Sequence, residues 1–163
     1  YVFGGTDNSS NMNEIVRYDL STQNSGEWTT IAKVNEANQR GGVAFVVEDK
    51  VYAGLGEKSN GIRNGFYVSS DSLTKWELIP SIPAQLGVIS SGVYDEQKKS
   101  FFMIDNDGKI WEYNLTTEQW TSRSLWIRMK NYHMFMLDGS IYILGQDIYQ
   151  KNKFTVYNPI WDN

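Results

Sequence analysis

Two landmarks recur along this chain in a fixed order. A repeat constrains a fold more than any other feature, because each copy must bury its apolar face on a neighbour. The first landmark is an aromatic–aliphatic strand that runs into glycine. It reads Tyr1-Val2-Phe3-Gly4-Gly5, then Val51-Tyr52-Ala53-Gly54-Leu55-Gly56, then Ile141-Tyr142-Ile143-Leu144-Gly145. A fourth version, Phe101-Phe102-Met103-Ile104-Asp105, keeps the apolar pattern but puts Asp105 and Asn106 where the glycines would stand. The aromatics Tyr1, Tyr52, Phe102 and Tyr142 are 51, 50 and 40 residues apart. The second landmark is a tyrosine followed by a tryptophan: Tyr18 and Trp28, Tyr67 and Trp76, Tyr113 and Trp120, Tyr157 and Trp161. These tryptophans are 48, 44 and 41 residues apart.

The segments between the landmarks are strand-like. Gly41-Gly42-Val43-Ala44-Phe45-Val46-Val47, Ser91-Gly92-Val93-Tyr94 and the bulkier Tyr132-His133-Met134-Phe135-Met136-Leu137 read as short strands buried among neighbours. Turn signals at Glu48-Asp49-Lys50, Asp107-Gly108-Lys109 and Asp138-Gly139-Ser140 join strands into hairpins. No segment holds a helical period for a dozen residues, so the chain is expected to be all-β. Ten Tyr, 7 Phe and 6 Trp beside 14 Gly and 3 Pro suit many short strands with tight turns.

A strand ending in paired glycines, then a Tyr and a Trp, resembles the kelch repeat over nearly the whole chain. The resemblance implies a β-propeller of four-stranded blades around a central channel. Only Gly4-Gly5 is an intact pair; Gly56 and Gly145 each keep a single glycine, so the repeats are divergent. Residues 1–163 are expected to form one partial propeller of about four consecutive blades. Blades 41–81 and 88–126 are complete, and blades 1–34 and 131–163 are incomplete. Kelch-like rings usually have six or seven blades, so the expectation is a larger ring completed by further blades or by another chain. The opening Tyr1-Val2-Phe3 is neither a signal peptide nor an initiating Met, and an upstream segment is expected.

Composition narrows the partners. A net charge of −4 argues against nucleic acid, which needs a concentrated basic surface. Zero Cys removes disulfides, thiolate nucleophiles and most zinc sites. No apolar run reaches the roughly 18 residues of a membrane span. No Gly-rich phosphate loop opens a helix, and no Ser sits in a nucleophile elbow. Asp105-Asn106-Asp107-Gly108 resembles the start of a calcium loop but lacks the downstream Glu and is expected to be a hairpin turn. Neither a metal nor a cofactor is expected.

The candidate binding residues are Arg40, Arg63, Trp126, Lys130 and His133. Arg40 precedes an innermost strand, and Lys130 lies at the matching offset, 12 residues before Tyr142 as Arg40 is before Tyr52. A guanidinium there suits a carboxylate, although the reading that Arg40 orders its own loop is preferred. Trp126 stands outside the repeated tryptophans and is free to stack on a ligand. His133, the one histidine, is expected to pack in an apolar strand, with a channel ligand as the alternative. Loops 6–13, 35–40, 57–64, 82–88, 124–131 and 146–152 are expected to line one mouth of the ring.

The resemblance implies a non-catalytic scaffold for a protein partner or a glycan or peptide ligand. These Cys-free, Asn/Ser/Thr/Tyr-rich repeats look like those of exported bacterial proteins of the cell surface, outer membrane or periplasm, including lipoproteins tied to nutrient uptake. Two alternatives stand beside it: a carbohydrate-active enzyme such as a sugar-acid epimerase or lyase, and an intracellular kelch adaptor. Galactose-oxidase-like copper chemistry needs a Cys and two His, which these residues cannot supply.

Overall fold

The structure is a computed structural model. It describes residues 1–7, 10–20, 26–58, 61, 65–70, 73–126 and 128–158, and the side chains of 37, 70 and 124–126 lie outside that description. Among these residues the chain is all-β, with one turn of 3-10 helix at Asn35–Ala37. It divides into two compact units, Tyr1–Pro80 and Ser81–Asn163.

The first unit holds two antiparallel sheets. One has three strands in the order β1 (Val2–Phe3), β2 (Glu14–Asp19), β3 (Glu27–Lys33). The other has four: β4 (Val43–Val47), β5 (Lys50–Gly54), β6 (Phe66–Ser70) and β7 (Glu77–Leu78). The second unit repeats the plan in reverse. Four strands, β8 (Ile89–Asp95), β9 (Ser100–Asp105), β10 (Lys109–Asn114) and β11 (Gln119–Trp126), form one sheet. Three more, β12 (Lys130–Leu137), β13 (Ser140–Gln146) and β14 (Asn152–Tyr157), form the other. Each strand pairs with the next in sequence, so every sheet is a simple meander.

Register assigns every residue to a face, because opposed residues in an antiparallel ladder share a side and successive residues alternate. We call the face turned toward the later sheet of a unit the forward face. In the first unit Phe3, Ile15 and Ala32 share the forward face of β1–β3 and pack against Val51, Leu73 and Trp76. Phe3 meets Trp76 edge-on at 5.1 Å, and the Trp76 indole N–H donates to the Leu73 carbonyl at 3.0 Å. In the second unit Val93, Phe102, Ile104 and Ile110 form the forward face of β8–β10. They meet Tyr132, Ile141, Ile143 and Tyr157 on the rear face of β12–β14. The forward-to-rear rule is the same in both units, which is what a repeat requires.

The turns follow their sequences. Asp138 and Gly139 both take positive φ, 50° and 72°, which is the backbone of a two-residue type I′ hairpin loop. At Asp105-Asn106-Asp107-Gly108 the chain makes the expected hairpin turn between β9 and β10. The buried Asp105 carboxylate organises it. Its Oδ1 accepts the N–H groups of Asp107 and Lys109 at 3.1 and 2.9 Å, and its Oδ2 accepts the Trp111 indole at 2.9 Å and the Gly87 N–H at 3.3 Å. Four donors compensate the loss of water around this charge.

Candidate functional site

Each unit holds one basic residue at the same place in the repeat. In the first unit the backbones of Arg40 and Glu57 bond both ways, at 3.0 and 2.9 Å. The Arg40 guanidinium lies 3.6 Å from the Glu57 carboxylate, so its charge is met by the loop that pairs with its own. Beside it the buried Gln39 takes the Gly56 N–H on Oε1 at 3.3 Å and the Gly5 N–H on its carbonyl at 2.8 Å. Glycine at 56 is obligatory here, since a Cβ would lie 2.5 Å from the Arg40 carbonyl oxygen.

The second unit keeps the backbone and changes the chemistry. Lys130 begins β12 opposite Gln146, and a Cβ on Gly145 would lie 2.9 Å from the Lys130 carbonyl oxygen. A neutral carboxamide therefore stands where Arg40 has a carboxylate. Lys130 is exposed and has no ion pair among the described residues.

One open cleft takes in this lysine, and a second lies beside it at Asn131. One, about 310 Å³, is lined by Asn106, Lys130, Asn131 and Tyr132. The other, about 320 Å³, is lined by Asn131, His133, Leu144, Gly145, Gln146, Asn152 and Lys153. Asn131 belongs to both. A register shift between Lys130 and His133, with Asn131 at φ 55°, turns this short stretch of β12 aside and opens the space. The carboxamides form a relay: Asn131 Nδ2 donates to Gln146 Oε1 at 3.1 Å, and Gln146 Nε2 donates to Asn152 Oδ1 at 3.5 Å. Lys153 differs from Lys130 in having a carboxylate, Asp147, 3.7 Å away.

Tyr132 closes the floor. Its hydroxyl oxygen accepts the Met129 N–H at 3.1 Å. Burial pushes its phenol above the ordinary tyrosine range, the Met129 bond opposes that, and the Asp105 and Asp107 carboxylates add to it. The group stays neutral near pH 7 and serves as a hydrogen-bonding strut.

The other expected residues fall differently. Arg63 lies outside the described residues. Trp126 ends β11, its backbone paired with Lys109, and its side chain lies outside them too. His133 departs from its expected packing, because its side chain is exposed and lines a cleft. Sequence reasoning passed over Asn106, Asn131, Gln146 and Asn152. Asn106 and Gln146 share a place in the repeat, four residues after the aromatics Phe102 and Tyr142, but only the hairpin register and the bulge bring Asn131 and Asn152 beside Gln146.

Two lysines, an imidazole and carboxamides that both donate and accept can recognise hydroxyl, amide and carboxylate groups. No family model matches the chain, and no curated protein does. Solved structures do match. The "Structure of YjhT" superposes with a TM-score of 0.61 at 11% identity, over 93% of this chain and 64% of that one. The fold is propeller-like.

A chain from a crystal structure of a nidogen/laminin complex matches with a TM-score of 0.59 at 12% identity, over 94% of this chain and 59% of that one. A structural genomics protein of unknown function from Bacteroides thetaiotaomicron VPI-5482 matches with a TM-score of 0.54 at 14% identity, over 94% and 43%. The present chain thus spans less than two thirds of each of these propeller-like chains. Its sheets of three, four, four and three strands are two complete and two incomplete blades. None of these likenesses names the kelch class.

Proposed function

We propose that this chain is part of a non-catalytic, kelch-type propeller scaffold that binds a glycan or peptide ligand at the clefts around Lys130. The observation that carries this reading is the contrast between the two units. Arg40 has its carboxylate in Glu57, while Lys130 faces Gln146 and keeps its charge available. A buried tyrosine, a bulged strand and a carboxamide relay hold the surroundings of that charge in place, which lowers the ordering cost of binding. The carboxamides suit a ligand with alternating donors and acceptors, and the lysine suits a carboxylate on it.

Within this reading the intact ring is larger, and the setting is the surface or periplasm of a bacterium that takes up glycans or peptides. The support for the setting is compositional: repeats without cysteine and rich in Asn, Ser, Thr and Tyr. The test of the binding reading is calorimetric. Trialanine, trialanine amide, glucose and glucuronate are titrated into the chain and into its Lys130→Ala variant. A carboxylate-bearing probe should bind the chain and lose at least tenfold in affinity to the variant. Equal binding of the probe by both proteins would reject the site.

A further inference from the structure

The second unit builds one five-residue turn twice, between β9 and β10 and between β13 and β14. In Asp105-Asn106-Asp107-Gly108-Lys109 the Asp105 Oδ1 accepts the N–H groups of Asp107 and Lys109 at 3.1 and 2.9 Å. In Asp147-Ile148-Tyr149-Gln150-Lys151 the Asp147 Oδ1 accepts those of Tyr149 and Lys151 at 2.9 and 3.0 Å. The Asp105 and Asp147 carbonyls each accept the N–H three residues on, from Gly108 and Gln150, at 2.9 Å. That fourth residue takes positive φ in both turns, 81° at Gly108 and 61° at Gln150. The backbone is the same, and the tip is not.

Asn106 and Asp107 occupy the tip of the first turn, and Ile148 and Tyr149 the tip of the second, each 76% exposed. Single apolar residues on a surface are ordinary, but two large ones together on a fixed turn make a patch. Their exposure belongs to the turn. Asn106 and Asp107 are exposed as well, although β12–β14 covers the sheet that carries them. A further sheet laid on β12–β14 in the same way leaves Ile148 and Tyr149 open.

The turn rises from the row that carries Lys130. Lys130, Gln146 and Asn152 are opposed across β12, β13 and β14, and the turn joins Gln146 to Asn152. Adjacent strands lie about 5 Å apart, so a ligand of two or three residues spans Lys130 and the tip. The ends of that span ask for different chemistry. Lys130 suits a carboxylate. Ile148 has no side-chain donor or acceptor, so covering it with a sugar would strip water from hydroxyls without replacing it. A peptide supplies a carboxylate and an apolar side chain, and its main-chain amides match the carboxamides of Asn131, Gln146 and Asn152. A turn already held by Asp147 adds little ordering cost.

We propose that Ile148 and Tyr149 form the specificity surface of the Lys130 site. They select a peptide whose free terminal carboxylate is preceded, within two residues, by an apolar side chain. This rests on the reading of Lys130 as the ligand's cation, and it narrows that ligand from a glycan or peptide to a peptide.

Calorimetric titration with trialanine, alanylleucylalanine, leucylalanylalanine and glucuronate tests this. The proteins are the chain, an Ile148→Ser, Tyr149→Ser double variant and the Lys130→Ala variant. At least one leucyl peptide should bind the chain tenfold or more tighter than trialanine does. That advantage should fall below threefold in the double variant, and Lys130→Ala should weaken every peptide at least tenfold. Tip side chains this exposed carry little of the fold, and an Ile148→Thr, Tyr149→Gln variant repeats the test if the far-UV spectrum changes. The inference is overturned by leucyl peptides no tighter than trialanine, by an advantage that survives in the double variant, or by binding of glucuronate alone. In those cases a tenfold loss in Lys130→Ala leaves the Lys130 reading standing. No binding by any probe, or affinities that Lys130→Ala leaves unchanged, overturns both.

Discussion

The carbonyl oxygen of Lys130 occupies the space that a side chain on Gly145 would need, as the Arg40 carbonyl does over Gly56. Gly56 is the tighter of the two, with Arg40 and Gly41 oxygens 2.5 and 2.9 Å from the position of a Cβ. Gly56→Ala should cost about 1–3 kcal/mol, in the range of overpacking substitutions. Gly145→Ala should cost less, because its nearest atom, the Lys130 carbonyl oxygen, is 2.9 Å from the position of a Cβ rather than 2.5 Å. Thermal denaturation of the two variants should rank them in that order.

Asp105 offers a sharper test of the second unit. Asp105→Asn replaces an acceptor oxygen with a donor in a site that supplies only donors. The loss should be about 3 kcal/mol, since buried N–H groups lose a charged partner. Hydrogen exchange should report it locally, with faster exchange at the amides of Asp107 and Lys109.

Glu112 and Arg123 make the most buried ion pair among the described residues, the Arg123 Nε donating to Glu112 Oε2 at 2.9 Å. Arg123→Ala should cost about 3–5 kcal/mol, because it strands a buried carboxylate. A Glu112→Leu, Arg123→Met double variant should recover most of that loss. Val156, the residue at the Glu112 position in the next sheet, shows that the repeat accepts an aliphatic there. Urea midpoints of the single and double variants decide the matter.

Two tyrosines contribute to the loss of stability at alkaline pH. Burial raises the Tyr132 phenol, and burial together with Glu36 raises that of Tyr67 against the bond to Gly65. A raised folded pKa means that the folded state holds the proton more tightly than the unfolded chain does. The resulting stability is fully present below the ordinary value of 10.0 and is lost as pH rises through the folded values. Tyr132→Phe should therefore flatten the fall in unfolding midpoint above that pH. It should also lower stability at neutral pH by about 1 kcal/mol, for the lost Met129 bond.

Most of the fold was legible in the sequence, and much less of the site. The strand-like segments 41–47, 101–105 and 141–145 fall in the strands Val43–Val47, Ser100–Asp105 and Ser140–Gln146. Alternating burial and glycine punctuation act locally, so a linear reading can see them. Arg40 could be placed in the repeat, but its pairing with Glu57 needed the register of two distant loops. His133 misled because an apolar strand suggests a packed side chain. It sits on the forward face of the last sheet, where the described residues provide no cover. The carboxamides at 131 and 152 had no pattern to find, since a strand bulge and the hairpin register rather than a motif set them beside Gln146.

The central claim is that the clefts at Lys130 are the binding site. The direct measurement is chemical-shift perturbation in the 15N-labelled chain on titration with trialanine, trialanine amide, glucose and glucuronate. The account predicts that a carboxylate-bearing probe moves the Lys130 and His133 backbone signals and the Asn131, Gln146 and Asn152 side-chain amides first. Shifts confined to the Arg40–Glu57 loop, or a cleft unmoved by every probe, would contradict it.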